Sequence, residues 1–104
     1  MDLAARLAAL SRSLVNRGYL PHTVREGDDR DAFALASDCV DEAHSQYLLG
    51  RLVRAFTEMD EATTHLRRAE LTSSDPDFRE AEALWEALAD LAYPEDIQQQ
   101  EASV

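Results

Sequence analysis

Apolar residues recur along this chain at helical spacing, and polar breakers cut the pattern into segments. Leu3, Leu7, Leu10 and Leu14 follow at intervals of four, three and four, which puts them on one stripe of a helix. The spacing predicts a first helix over residues 3–17, with Asp2 as N-cap and Gly18 as C-cap. Pro21 prevents its resumption, and the polar stretch 21–29 (PHTVREGDD) is the first connection. Asp28 or Asp29 then caps a second helix with the stripe Ala32, Leu35 or Ala36, Cys39, Ala43 and Tyr47. No strong breaker follows, which leaves two readings open. One is a long helix from about 30 to 56, slightly favoured because Gly50 costs only about 1 kcal/mol inside a helix. The other is a kink or short break near Ala43–Ser45.

Thr57–Asp60 is the next expected turn, because Thr and Asp compete for backbone hydrogen bonds and suit helix starts. It leads into a helix over about residues 60–71, with Met59, Ala62, Leu66 and Ala69 on one side. Thr72–Pro76 is the clearest punctuation: a Ser or Asp cap followed by Pro opens a helix. That last helix, over about 76–92, is expected to bury Phe78, Ala81, Leu84, Trp85, Leu88 and Leu91, and Tyr93-Pro94 stops it. The polar residues 94–104 read as a disordered tail after a single domain of residues 1–93. No segment alternates with period two. The predicted fold class is all-α, a bundle of four or five antiparallel helices.

The stretch Tyr47–Pro76 reads as two helices joined by a tight connection and closed by a proline. It resembles a single tetratricopeptide repeat over residues 43–76, whose pattern is W-x2-L-G-x2-Y, then A-x3-F, then P. Leu49-Gly50 matches the Leu-Gly pair, Val53 stands at the tyrosine, Ala62 at the alanine and Leu66 at the bulky position four residues on. Gln46 stands where the pattern has tryptophan, and Pro76 comes two residues late. The resemblance implies a scaffold that binds peptides or protein helices, in which Gly50, Ala62 and Ala69 let the two helices approach closely.

Charge changes the picture more than composition does. In 104 residues, 21 acids face 10 cations, all arginine, for a net charge of −11. Such a balance repels nucleic-acid phosphates, so no direct nucleic-acid partner is expected. The charge is also graded. Residues 1–25 hold Arg6, Arg12, Arg17 and Arg25 against Asp2, a net of +3, whereas residues 75–104 carry nine acids against Arg79, a net of −8. The simplest consequence is a basic first helix compensated by an acidic last one. The single Cys39 excludes an internal disulfide and a cysteine-rich metal site. Arg6 and Arg12 interrupt any signal-like apolar run, so neither a leader nor a membrane span is expected, and a cytoplasmic location is the default.

Candidate chemistry is sparse. Asp41 and His44 are three apart and Glu61 and His65 four apart, so each pair can share a helical face, as carboxylate–histidine ligands do in di-iron bundles. The Glu-x-x-His motif of such sites is missing. Arg17 and His22 have the Arg-x4-His spacing of the HEPN family of helical ribonucleases, but Gly18 and Pro21 interrupt the helix between them. Cys39 lies on its helix's apolar stripe and reads as a buried, inert thiol.

The expected function is therefore a non-catalytic helical module that binds another protein, without cofactor or metal, with a second copy of the chain among the candidate partners. The residues expected to carry it are the stripe Leu3, Leu7, Leu10 and Leu14 and the arginines Arg51, Arg54, Arg67 and Arg68. Two alternatives stand beside it. An acidic inhibitor imitating nucleic acid would need Asp38, Asp41, Glu42, Glu82, Glu86 and Asp90 in one continuous array. A metal-binding bundle would use His44, His65 and nearby acids.

Overall fold

A computed structural model of the chain describes residues 2–19 and 30–94. Four helices make up nearly all of them: α1 (Leu3–Tyr19), α2 (Arg30–Leu48), α3 (Leu52–Arg68) and α4 (Pro76–Ala92). Each helix packs on the next and α4 closes back on α1, so that α2 and α4 lie across the bundle from each other. The expected all-α bundle is thus the fold. The expected tail residues 95–104 lie outside the described residues.

Helix ends follow local chemistry. Asp2 caps α1, its Oδ1 accepting from the backbone N–H of Ala5 at 2.7 Å. Gly18 does not end that helix, which continues to Tyr19. Asp75 caps α4 by accepting from the N–H groups of Asp77 and Phe78, and Pro76 fills the first helical position, where a missing N–H costs nothing.

The long second helix is not formed. Its expected continuation breaks at residues 49–51, and the expected turn at Thr57–Asp60 lies inside α3. Gly50 is the cause. Its φ of 77° is left-handed, and it sits just past the end of α2. There Gly50 N–H donates to Tyr47 C=O at 3.0 Å and Arg51 N–H to Gln46 C=O at 2.9 Å, the paired bonds of a Schellman cap. The glycine that is a weak breaker by propensity is a strong stop once its φ is positive. Its expected packing role also falls away, because a Cβ added there would meet no atom within 4 Å. The hairpin at the middle of the fold is therefore α2–α3, centred on Gly50.

The core draws on all four helices: Leu7, Leu10 and Leu14 from α1, Phe33, Ala36, Val40 and Ala43 from α2, Ala55, Met59, Ala62 and Leu66 from α3, and Phe78, Ala81, Leu84 and Leu88 from α4. Of the expected α2 stripe, Ala32, Ala36 and Ala43 are buried and Cys39 and Tyr47 pack against the core, and the buried face extends further to Phe33 and Val40. Phe33 and Val40 are fully buried, whereas Leu35 is 49% exposed. On α4, Leu91 turns outward and Trp85 is half-buried.

The charge gradient closes on itself. Arg6 of α1 pairs with Glu80 of α4 at 2.6 Å, and Arg17 Nη1 lies 3.0 Å from the carboxylates of both Asp75 and Asp77. Arg17 also stacks 4.1 Å from the centre of the Phe33 ring, and Ser13 donates to Asp77. One arginine thereby ties the end of α1 to the beginnings of α2 and α4.

Candidate functional site

Five of the seven large apolar side chains that stand exposed among the described residues gather at one end of the bundle. Leu48 and Leu49 (65% and 64% exposed) and Val53 flank the Gly50 turn, and Leu91 and Tyr93 close α4 beside it. An aromatic seam joins the two parts. Phe56 of α3 packs on Trp85 at 5.4 Å and edge-on against Tyr93 at 5.5 Å, and the Trp85 indole N–H donates to Asp60 at 3.0 Å.

The helix ends at Gly50 and at Glu70 are capped alike but closed differently. A Schellman cap ordinarily closes with an apolar contact between the third residue from the helix end and the second residue beyond it. At the end of α3 those positions are Leu66 and Leu71, and Leu71 packs against the core that contains Leu66. At the end of α2 they are Gln46 and Arg51, both polar, and Leu48 and Leu49 between them stand exposed.

Charge at this end is placed against the helix dipoles. α3 begins without a side-chain cap and without an acid in its first turn, and carries exposed Arg51 and Arg54 at its positive pole. α4 ends without a base in its last turn and carries exposed Asp90, one turn beyond exposed Glu86, at its negative pole. Among the described residues no carboxylate lies within 4.0 Å of either Arg51 or Arg54. Arg54 lines a cavity of about 210 Å³ with Glu42, Gln46, Thr57 and Glu58.

The other residues expected to form a partner surface are placed differently. Leu7, Leu10 and Leu14 are core, 0%, 3% and 0% exposed, and Leu3 packs against them, so the α1 stripe is spent inside the fold. The four arginines do not form one spot. Residues 54 and 67 are separated along α3 by roughly 20 Å at 1.5 Å per residue. Arg67 sits 6.0 Å from the Phe78 ring, and Arg68 shares a shallow cavity of about 290 Å³ with Glu61, Thr64 and His65. Arg17 is engaged by Asp75 and Asp77, and its expected companion His22 lies outside the described residues.

A second cluster occupies the α2–α3 seam. The thiol of Cys39 and carboxylate oxygens of Glu58 and Glu61 lie within 4.8 Å of one another, and the thiol donates to Glu61 Oε2 at 3.8 Å. Burial, then the negative charges of Glu58 and Glu61, push the Cys39 thiol up to about 12. Burial and the charges of Glu61 and Glu42 likewise raise Glu58 above the ordinary glutamate value. Nearby Gln46 donates to Glu42 at 2.7 Å while its own buried Oε1 has no partner. The seam keeps the thiol protonated, which makes it a poor nucleophile. Neither His44 nor His65 joins a three-residue ligand group among the described residues. This grouping was hidden from the sequence because it depends on the hairpin centre. Cys39 and Glu61, Glu42 and Glu58, Gln46 and Arg54 are each equidistant from Gly50, as antiparallel partners must be.

The six acids of the nucleic-acid-imitating array divide between α2 (Asp38, Asp41, Glu42) and α4 (Glu82, Glu86, Asp90), which lie across the bundle from each other. No helix among the described residues is long and apolar enough to cross a membrane. Comparison with known proteins gives no further guide: no protein-family model, curated protein or solved structure matches this chain.

Proposed function

We propose that this protein is a non-catalytic helical interaction module that engages another protein through the Gly50 end of its bundle. The observation that carries the reading is the coincidence, at one end, of Leu48, Leu49 and Val53 with Arg51 and Arg54. Scattered exposed leucines need no explanation, but a contiguous apolar group rimmed by charge marks an interaction site. Arginine and tyrosine are enriched at the centres of protein interfaces, and Tyr93 stands exposed beside this group.

The test is comparative capture from lysate of the source cell. A bait carrying Leu48→Asp and Leu49→Asp, with the helicity of the wild type by circular dichroism, is expected to lose at least tenfold of the partner that wild type retains. Equal recovery by both baits overturns the assignment of this end.

A further inference from the structure

We infer that the partner for the Gly50 end is a second copy of this chain, in a two-fold, end-to-end dimer. The inference rests on the reading of this end as an interaction surface and names its occupant.

The Gly50 end is self-complementary. An isologous contact needs one patch that carries both halves of the recognition, so that residue i meets j of the partner while j meets i. This end has both halves. The positive half is the uncapped start of α3 with Arg51 and Arg54, and the negative half is the end of α4 with Glu86 and Asp90. Each half has its side-chain charge on the wrong pole of its own helix dipole. A two-fold that sets the α4 end of one copy against the α3 start of the other neutralises both at once, twice over. The apolar components are divided in the same way, Leu48, Leu49 and Val53 on one side and Leu91 and Tyr93 on the other. A partner of purely acidic character would satisfy the arginines and leave Glu86 and Asp90 opposed.

Size and net charge are compatible with this contact. An ordinary interface takes about 800 Å² per partner. That is roughly one eighth of the 6427 Å² accessible surface, on the scale of one end of a four-helix bundle. Each copy carries −11, and contact through the ends keeps the two acidic bodies farther apart than any side-by-side arrangement. Charges beyond about 8 Å are screened at physiological ionic strength, whereas contacting pairs are screened less.

The test is sedimentation velocity of the full chain from 1 to 500 µM in 150 mM salt, with two charge-reversed variants. Wild type is expected to move with rising concentration from the 11.6 kDa chain towards twice that mass. Arg51→Glu with Arg54→Glu, and separately Glu86→Arg with Asp90→Arg, are each expected to weaken self-association at least tenfold. An equimolar mixture of the two variants, whose ends are again complementary, is expected to dimerise as wild type does. Circular dichroism of each variant establishes that it is folded, and the restored mixture cannot arise from unfolded chains. A wild type that stays monomeric throughout overturns the second copy, and so does a dimer indifferent to both reversals. Should that happen while the Leu48/Leu49 bait still loses a captured protein, the interaction surface stands and its partner is a different protein.

Discussion

Gly50 and Glu70 occupy equivalent places, the first left-handed residue past α2 and past α3, with φ of 77° and 62°. Both make the same pair of capping bonds, Glu70 N–H to Arg67 C=O and Leu71 N–H to Leu66 C=O completing the second. A side chain at positive φ is strained and glycine is not, so the two positions predict opposite effects. Gly50→Ala is expected to destabilise by about 1–2 kcal/mol through the backbone alone, since its Cβ would meet nothing. Glu70→Gly is expected to stabilise by roughly 0.5–1 kcal/mol, the relief of strain being partly offset by the greater freedom of glycine in the unfolded chain. Urea unfolding followed at Trp85 measures both, and a loss of stability in Glu70→Gly would contradict the capping assignment.

At the scale of elements, α4 depends on Asp75 in two capacities. It caps the helix through bonds of 2.9 and 3.2 Å, and it shares Arg17 with Asp77. Losing an Asp cap to Ala costs about 1 kcal/mol, and the half-buried ion pair adds to it. Asp75→Ala is therefore expected to destabilise by about 1–2 kcal/mol. Asp75→Asn, which keeps a good cap and removes only the charge, is expected to cost less than half as much. Denaturant midpoints with unchanged slopes decide it, and equal losses in the two variants would assign the effect to the ion pair rather than the cap. This element was the most legible in the sequence: Asp75-Pro76 carries its own start signal, and its bounds follow from local chemistry. The first helix was nearly as legible in its Asp2 cap and its apolar stripe, although Leu7, Leu10 and Leu14, expected to meet a partner, are core.

At the scale of the whole molecule, electrostatics within the α2–α3 seam work against the folded state at neutral pH. Glu58 is held above its ordinary value by burial and by the charges of Glu61 and Glu42. A carboxyl group whose folded value is raised binds its proton more tightly when folded, so its contribution to stability is present at low pH and is lost as pH rises through the raised range. Glu58→Gln removes this dependence. The variant is expected to melt above wild type at pH 7, with the gap closing as pH falls towards the ordinary glutamate value of 4.5. A gap that stays constant across that range would show that Glu58 does not titrate differently in the folded chain. The candidate site also belongs to this scale. Arg51 and Arg54 were legible as exposed cations, but their joining with Leu91 and Tyr93 needed the packing of α4 on α3.

Local sequence set the fold class, the apolar stripes of α1 and α3 and the start of α4, because helical period and caps depend on residues within one or two turns of each other, but it did not show that the α1 stripe is core rather than a partner surface. It also set the charge gradient that Arg6–Glu80 and Arg17–Asp75/Asp77 close. Where the chain turns between α2 and α3 depends on contacts between residues distant in sequence. Propensity assigns Gly50 a small cost within a helix, and the choice between continuing and reversing lies in how much apolar surface α3 buries once folded back on α2. That same reversal sets Cys39 beside Glu58 and Glu61, and it strands Leu48 and Leu49 at the tip, where no residue of the described fold covers them.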